Sequence, residues 1–368
     1  MVGEKQKITA DVASSHTIKK FELIEGYVKE WAQKLLNYQG CDSIIFIDCM
    51  SNSGVYQDNF GSEVFGTPIR VANYLSSIMK KYPNKKAYLI LNDIDSERID
   101  ILKTRLPVNT SNFHINSYVG DGNDLLKNIK ISKNCRASYL LLYDPYVASI
   151  DWEALLPFLK NWGEVIINHM VSDSIRAVPQ VSRSSAIEKY EQTYLADIQS
   201  LFTFGSDKAA YEARIQEIIT SLHGQKENRY YIASFPFFRE RNVLVYHLLH
   251  CTSNIKGFKL FKKVAWKTFG GKSSSKNTRG MENQYVLDFE GTGVLRTSAD
   301  ECCYYIKDVA EYLFEKFKGQ SDVPLSEIWK TLDEHPVFPS DGFKNEIKSE
   351  LRNSYGCKSS IGSITFKD

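Results

Sequence analysis

Arg229-Tyr-Tyr-Ile-Ala-Ser-Phe235 and Val243-Leu-Val-Tyr-His-Leu-Leu-His-Cys251 are two β-rich runs joined by Pro236-Phe-Phe-Arg-Glu-Arg-Asn242. So short a connector cannot make a parallel crossover, so the two runs are expected to pair antiparallel. Upstream lie five apolar runs of strand length: Ser43–Ile47, Ala87–Leu91, Phe113–Val119, Tyr139–Tyr143 and Glu164–Asn168. Segments with helical spacing accompany them, at Ile18–Leu36, Pro68–Lys81, Ser96–Leu106 and Trp152–Asn161. This alternation is the signature of an α/β, doubly wound parallel sheet. The chain therefore reads as a Rossmann-like sheet, parallel except for a terminal antiparallel hairpin. Class I methyltransferases end this way and nicotinamide-binding Rossmann domains do not.

Four of the five runs end in Asp or Asn, on the edge where open α/β sheets bind ligands. The first leads into Asp48-Cys49-Met50-Ser51-Asn52-Ser53-Gly54, a strand–turn–helix unit of the kind that lets backbone approach an adenosyl or dinucleotide group. Asn52 can adopt left-handed dihedrals in place of a glycine. Asn92-Asp93-Ile94-Asp95 ends the second run. Asp93 is a candidate for ribose hydroxyls, and Asp95 is assigned the N-cap of the following helix. Asp121, within Gly120-Asp121-Gly122, either meets an adenine amino group or belongs to a plain Asp-Gly turn. After the fourth run, Asp144-Pro145-Tyr146 offers a carboxylate, a carbonyl and a ring together. Amino-group methyltransferases hold an exocyclic amine with a related turn that carries two prolines; a rigid strand exit is the simpler account.

Residues 172–224 read as a polar helical insertion within a domain spanning 1–269. Between Thr252 and Met281 there are eight Lys or Arg and no acid. Lys256, Lys259, Lys262, Lys263 and Lys267 alternate with Phe258, Phe261, Trp266 and Phe269. Such a stretch can track a phosphate backbone and stack bases; otherwise its aromatics pack inward and its lysines are solvated. Residues 270–299 read as a Gly/Ser/Lys-rich linker. In 300–368 three helices and a terminal strand suggest a small winged-helix-like α+β module.

The composition is that of a globular protein, with 43% apolar and 24% charged residues. A net charge of +2 leaves any electrostatic message to local patches. No apolar run reaches membrane-spanning length, and residues 1–9 lack the apolar core of a secretory signal. Seven cysteines without a C-x-x-C pair suit free thiols in the cytoplasm, and no metal site is expected. P-loop, zincin and nucleophile-elbow motifs are absent.

The ordered set His16-Thr17-x-Lys19, Tyr27-x-x-x-Trp31, Ile47-Asp48, Gly54-x-Tyr56, Gly61-Ser62, Gly66-x-Pro68, Asn92-Asp93, Asp144-Pro145-Tyr146, Ile167-Asn168-x-Met170 with Arg176, and Leu248–Gly257 resembles the three-Cys-motif partner (TcmP) proteins. The family's first turn is close to Asp-Gly-Phe-Ala-Gly-Pro-Gly, and here Cys49 and Asn52 stand at glycine positions. The resemblance implies a class I methyltransferase-like domain with a C-terminal winged helix. It also implies a partner, the phage Gp37/Gp68-like, radical-SAM-related protein that carries the three cysteines. The combined expectation is an S-adenosylmethionine-dependent methyltransferase-like protein acting on a nucleic acid or nucleotide-like substrate. Asp48, Asn52, Gly54, Asp93 and Asp121 would hold the cofactor, and Asp144, Pro145 and Tyr146 the acceptor. The alternative is a catalytically inactive scaffold of the same fold that binds nucleic acid or protein.

Overall fold

The computed structural model describes residues 11–131, 136–145, 149–170, 184–197, 218, 221, 230–239, 243–276 and 303–367. Tyr146, Arg176, most of 172–224, the connector residues 240–242 and residues 277–299 lie outside the described residues. The chain divides into two compact units, 1–142 and 143–368.

In the first unit α1 (Ser15–Asn37) precedes β2 (Ser43–Asp48) and buries Phe21, Ile24, Tyr27, Val28 and Trp31 along one stripe. Each such side chain contributes about 1.5–3 kcal/mol by leaving water. Strand β5 (Lys86–Asp93) pairs parallel with β2, and β6 (Phe113–Val119) pairs parallel with β5. On its other side β2 pairs parallel with β7 (Ala137–Tyr143). Ile44, Phe46 and Ile47 of β2 are fully buried, as expected where helices cover both faces of a parallel strand. Helices α2 (Thr67–Met79), α3 (Ser96–Lys103) and α4 (Gly122–Asn128) supply the crossovers.

One departure from the sequence reading lies between β2 and α2. Residues 57–66 are not a plain loop: β3 (Val55–Gln57) and β4 (Glu63–Phe65) form a hairpin, and β1 (Asp11–Val12) pairs parallel with β3. Strands of two or three residues are too short for alternation to register in a sequence.

The second unit begins with Tyr143, the last residue of β7. Next comes α5 (Trp152–Leu155), which tightens into a 3-10 turn over Leu156–Trp162 where Pro157 interrupts the α-helix. Strands β8 (Glu164–Met170), β9 (Tyr231–Arg239) and β10 (Val243–Thr252) follow, β10 being antiparallel to both β8 and β9. The seven strands run β6-β5-β2-β7-β8-β10-β9. That order, with the antiparallel strand next to last, is the Rossmann-like sheet of class I methyltransferases. Of the expected insertion, α6 (Ser184–Tyr194) is described; its Thr193 accepts the indole N–H of Trp152 at 2.9 Å and the backbone N–H of Ile150 at 3.1 Å.

Helix α7 (Ile255–Thr268) leads on to α8 (Ile306–Phe317), β11 (Val323–Pro324), α9 (Leu325–Glu334), α10 (Lys344–Tyr355), β12 (Lys358–Ser359) and β13 (Ser363–Thr365). The last three strands form a small sheet in the order β11-β13-β12. Residues 270–276, read as the start of a linker, are built into the structure. The backbone N–H of Ser273 donates to Tyr304 at 2.9 Å, and Ser274 and Lys276 are buried. Among the described residues no helix is long and apolar enough to cross a membrane.

Candidate functional site

Within the first unit, the loops that leave β2, β5 and β6 are tied to one another. Asp48 is buried at the end of β2, and its Oδ1 accepts the N–H of Met50 at 3.3 Å. Cys49, at a glycine position of the resembled family, is fully buried and its thiol donates to the Leu142 carbonyl at 3.4 Å. The two left-handed residues that the turn needs are Asn52 (φ 55°) and Gly54 (φ 67°). At Gly54 a Cβ would sit 2.9 Å from Leu102 Cδ1 and 3.0 Å from Ile69, so a side chain there would add backbone strain and push those two side chains aside.

Asn92, noted in the sequence as a strand end and within the family resemblance but given no role, is the central tie. Its Nδ2 donates to the carbonyls of Cys49 at 3.0 Å and Gly120 at 2.9 Å, and its own carbonyl accepts the N–H of Ser51 at 2.7 Å. Replacing Asn92 with Leu is expected to cost about 2–4 kcal/mol, because two inward carbonyls lose their donors. Urea unfolding measures it; a loss below about 0.5 kcal/mol, the scale of an ordinary surface change, would show that the tie does not hold the loops.

Asp93 and Asn52 are brought together, in a way the sequence did not reveal. Asp93 is 2% exposed; its Oδ2 accepts the N–H of Asn52 at 2.8 Å and its Oδ1 that of Asp95 at 3.0 Å. The carboxylate thus clamps two loops, and only its second lone pairs remain for a ribose. Asp95 caps α3 as expected, accepting from Glu97 and Arg98. Asp121 caps α4, with both bonds, from Asn123 at 2.8 Å and Asp124 at 3.1 Å, falling on Oδ1. Two apolar side chains beside Asp93 were missed: Ile94, the next residue, is 71% exposed, and Val119, in register with Asp93 on β6, is 53% exposed. Asp11 reaches the same place, accepting from Asn52 Nδ2 at 3.1 Å and lying 3.9 Å from Arg98.

In the second unit Asp144 follows β7 and Pro145 is buried. Asn168 of β8 donates its Nδ2 to Asp144 Oδ1 at 2.6 Å. Burial pushes the phenol of Tyr246 well above its ordinary value, with the Asp144 charge adding to the effect. Tyr246 is therefore a neutral hydroxyl at any working pH. The sequence marked Asn168 as the end of the fifth apolar run and as part of the family resemblance, without a role.

The basic stretch is reassigned. Phe258, Phe261, Trp266 and Phe269 pack inward, so stacking on bases is not open to them. Lys262 is fully buried and donates to the carbonyls of Leu332 at 2.8 Å, Asp333 at 3.1 Å and His335 at 2.7 Å. The intrahelical ladder runs out at the end of α9, and of these three carbonyls that of Leu332 also accepts the backbone N–H of His335 at 3.2 Å. Lys259 lies 3.0 Å from the Asp333 carboxylate, and the Lys263 stem lies against Gly342. Of the five lysines, Lys256 and Lys267 are exposed. The correction has a simple cause: a sequence shows the charge of an ammonium but not the helix end it neutralises.

No family model and no curated protein matches the sequence. Among solved structures, the chain is similar to a Legionella pneumophila protein of family model DUF519 (10% identity, 70% of this chain and 92% of that one, TM-score 0.42). It is also similar to human methyltransferase-like protein 13 in complex with SAH (12% identity, 74% and 97%, TM-score 0.33). A third is a putative O-methyltransferase from Klebsiella pneumoniae (10% identity, 66% and 90%, TM-score 0.32). These are likenesses of fold alone.

Proposed function

We propose that the chain is an S-adenosylmethionine-dependent methyltransferase-like protein acting on a nucleic acid or nucleotide-like substrate. The observation that carries this reading is the junction of three strand-end loops through Asn92 and Asp93, with Ile94 and Val119 left exposed beside it. Open α/β sheets bind ligands at such strand ends. The residues present fit the cofactor as follows. Ile94 and Val119 offer apolar surface to a purine, and the Oδ2 of Asp121 can accept its amino group. Asp93 retains lone pairs for ribose hydroxyls, and Asp48, Asn52 and Gly54 shape the turn for the methionine end. When bound, S-adenosylmethionine supplies an electrophilic methyl group. Asp144, Pro145 and Tyr146 are assigned to the acceptor, where the Asp144 carboxylate takes an N–H of the nucleophile and holds its lone pair in one direction.

Isothermal titration with S-adenosylmethionine and with its homocysteine product tests this. The expected result is saturable heat with a dissociation constant in roughly the micromolar range, weakened about tenfold in Asp121→Ala through loss of a hydrogen bond worth about 1.4 kcal/mol. A folded protein that gives no heat with either compound overturns the reading.

A second reading, a non-catalytic scaffold, draws on the clamp itself. Both Asp93 oxygens already accept backbone N–H groups, and Asp11 occupies the side chain of Asn52. Salt-dependent binding of RNA or DNA without any cofactor heat would favour it, with Lys256 and Lys267 as the basic positions left to track phosphates. We also read the α8-β11-α9-α10-β12-β13 module as winged-helix-like, the residues 1–269 and 300–368 as two domains, and the chain as a cytoplasmic member of the three-Cys-motif partner proteins. Co-purification with a Gp37/Gp68-like protein tests that last assignment.

A further inference from the structure

We propose that Asn168 is a substrate-binding residue, forming with Asp144 a pair of acceptors for the two N–H bonds of a planar amino group on a nucleobase. This rests on the acceptor role given to Asp144 above and adds a residue and a substrate class to it. Asn168 is 4% exposed. Its amide orientation is fixed, because only Nδ2 can donate to the carboxylate oxygen 2.6 Å away. The Oδ1 is left buried with no hydrogen-bond partner among the described residues. A buried carbonyl without a donor is costly, so a site that keeps one is shaped for a donor brought by something else.

The chemistry selects the donor. Asp144 contributes an acceptor-only group, and Asn168 turns its amide nitrogen to Asp144, which leaves Oδ1 as its unpartnered atom. An aminopyrimidine or aminopurine presents two N–H bonds in one plane, whereas its keto analogue presents an oxygen that both groups would repel. An ammonium would present three N–H bonds to these two acceptors.

The test compares cytidine with uridine, and adenosine with inosine, by titration of the full chain with saturating S-adenosylhomocysteine present. The amino nucleoside of each pair is expected to bind roughly tenfold tighter, and Asn168→Leu, which keeps volume but removes the acceptor, is expected to bring that ratio close to one. Asn168→Thr keeps a hydroxyl able to serve both sides; it should retain part of the preference and covers the case in which the Leu variant does not fold. Equal binding of each pair, or no binding of any nucleoside, overturns the inference, as does an unchanged ratio in folded Asn168→Leu. Tighter binding of a lysine amide than of cytidine overturns it in favour of an ammonium. The homocysteine product is titrated separately. If it binds while the nucleosides are not discriminated, the methyltransferase reading stands without this inference. If the preference for amino nucleosides appears without cofactor heat, the inference stands without that reading.

Discussion

Between pH 7.5 and pH 5 the chain is expected to lose about 2 kcal/mol of stability through a single side chain, His335. Burial drives its pKa from 6.5 down to about 3, and the charges of Lys262 and Lys316 add to the effect. The ring shows why the neutral form is required. Its Nδ1 accepts the backbone N–H groups of Val337 at 3.1 Å and Phe338 at 2.9 Å, so any ring proton sits on Nε2. A proton on Nδ1 would face two donors. The ring also stacks on Phe338, with centroids 3.8 Å apart and planes 4° from parallel. The folded-state value lies below the unfolded one, so the unfolded chain binds the extra proton between pH 6.5 and 3. This stability is complete above pH 6.5 and is lost as pH falls through that window. At pH 5 the gap is about 1.5 pH units, or roughly 2 kcal/mol. Urea unfolding of the full chain, with hydrogen exchange read over residues 325–355, measures it. Other groups titrate in the same range, so the deciding quantity is the difference from His335→Asn, in which the slope between pH 7.5 and 5 should flatten. Equal slopes in the two proteins would remove His335 as the cause.

His335 also illustrates what the sequence could and could not disclose. Long periodic elements were legible: α1, the five strands from β2 to β8 that match the apolar runs, and the closing hairpin follow from run lengths, helical spacing and a short connector. The polar strand ends were legible as positions. Their use was not, because it depends on register between strands far apart in the chain. Asp93 reads alone as a ribose ligand, and only the approach of Asn52 and Asp95 turns it into a loop clamp. Asn92 passes as an ordinary strand end until the carbonyls of Cys49 and Gly120 lie against its amide. Likewise β1, β3 and β4 are too short to carry a period. Cys49 stands at a glycine position of the resembled family, yet it points its thiol inward to the Leu142 carbonyl and leaves Asn52 and Gly54 to supply the left-handed residues.

Lys262→Met is expected to destabilise the protein by about 3–5 kcal/mol while the same change at Lys256 or Lys267 costs less than about 0.5 kcal/mol. Methionine fills nearly the same volume, so the loss measures the amino group and its hydrogen bonds rather than a cavity. Three carbonyls at the end of α9 would lose the Lys262 amino group, with that of Leu332 keeping a backbone donor, the N–H of His335, and the negative end of that helix would lose its cation. Burial pushes the Lys262 ammonium down to about 7, against the pull of the Asp333 carboxylate and with Lys259 opposing it further. Because this value lies below the unfolded 10.5, the unfolded chain holds the extra proton between the two. Wild-type stability should therefore rise relative to the variant as pH goes from 7 to 9. The exposed lysines answer a different question. If they track a phosphate backbone, each neutral substitution lowers the salt dependence of nucleic-acid binding by about one ion with no change in folding. A stable Lys262→Met protein that has merely lost nucleic-acid affinity would return this residue to a binding surface. A destabilised one with unaltered affinity per folded molecule fixes it as the pin that joins α7 to the end of α9.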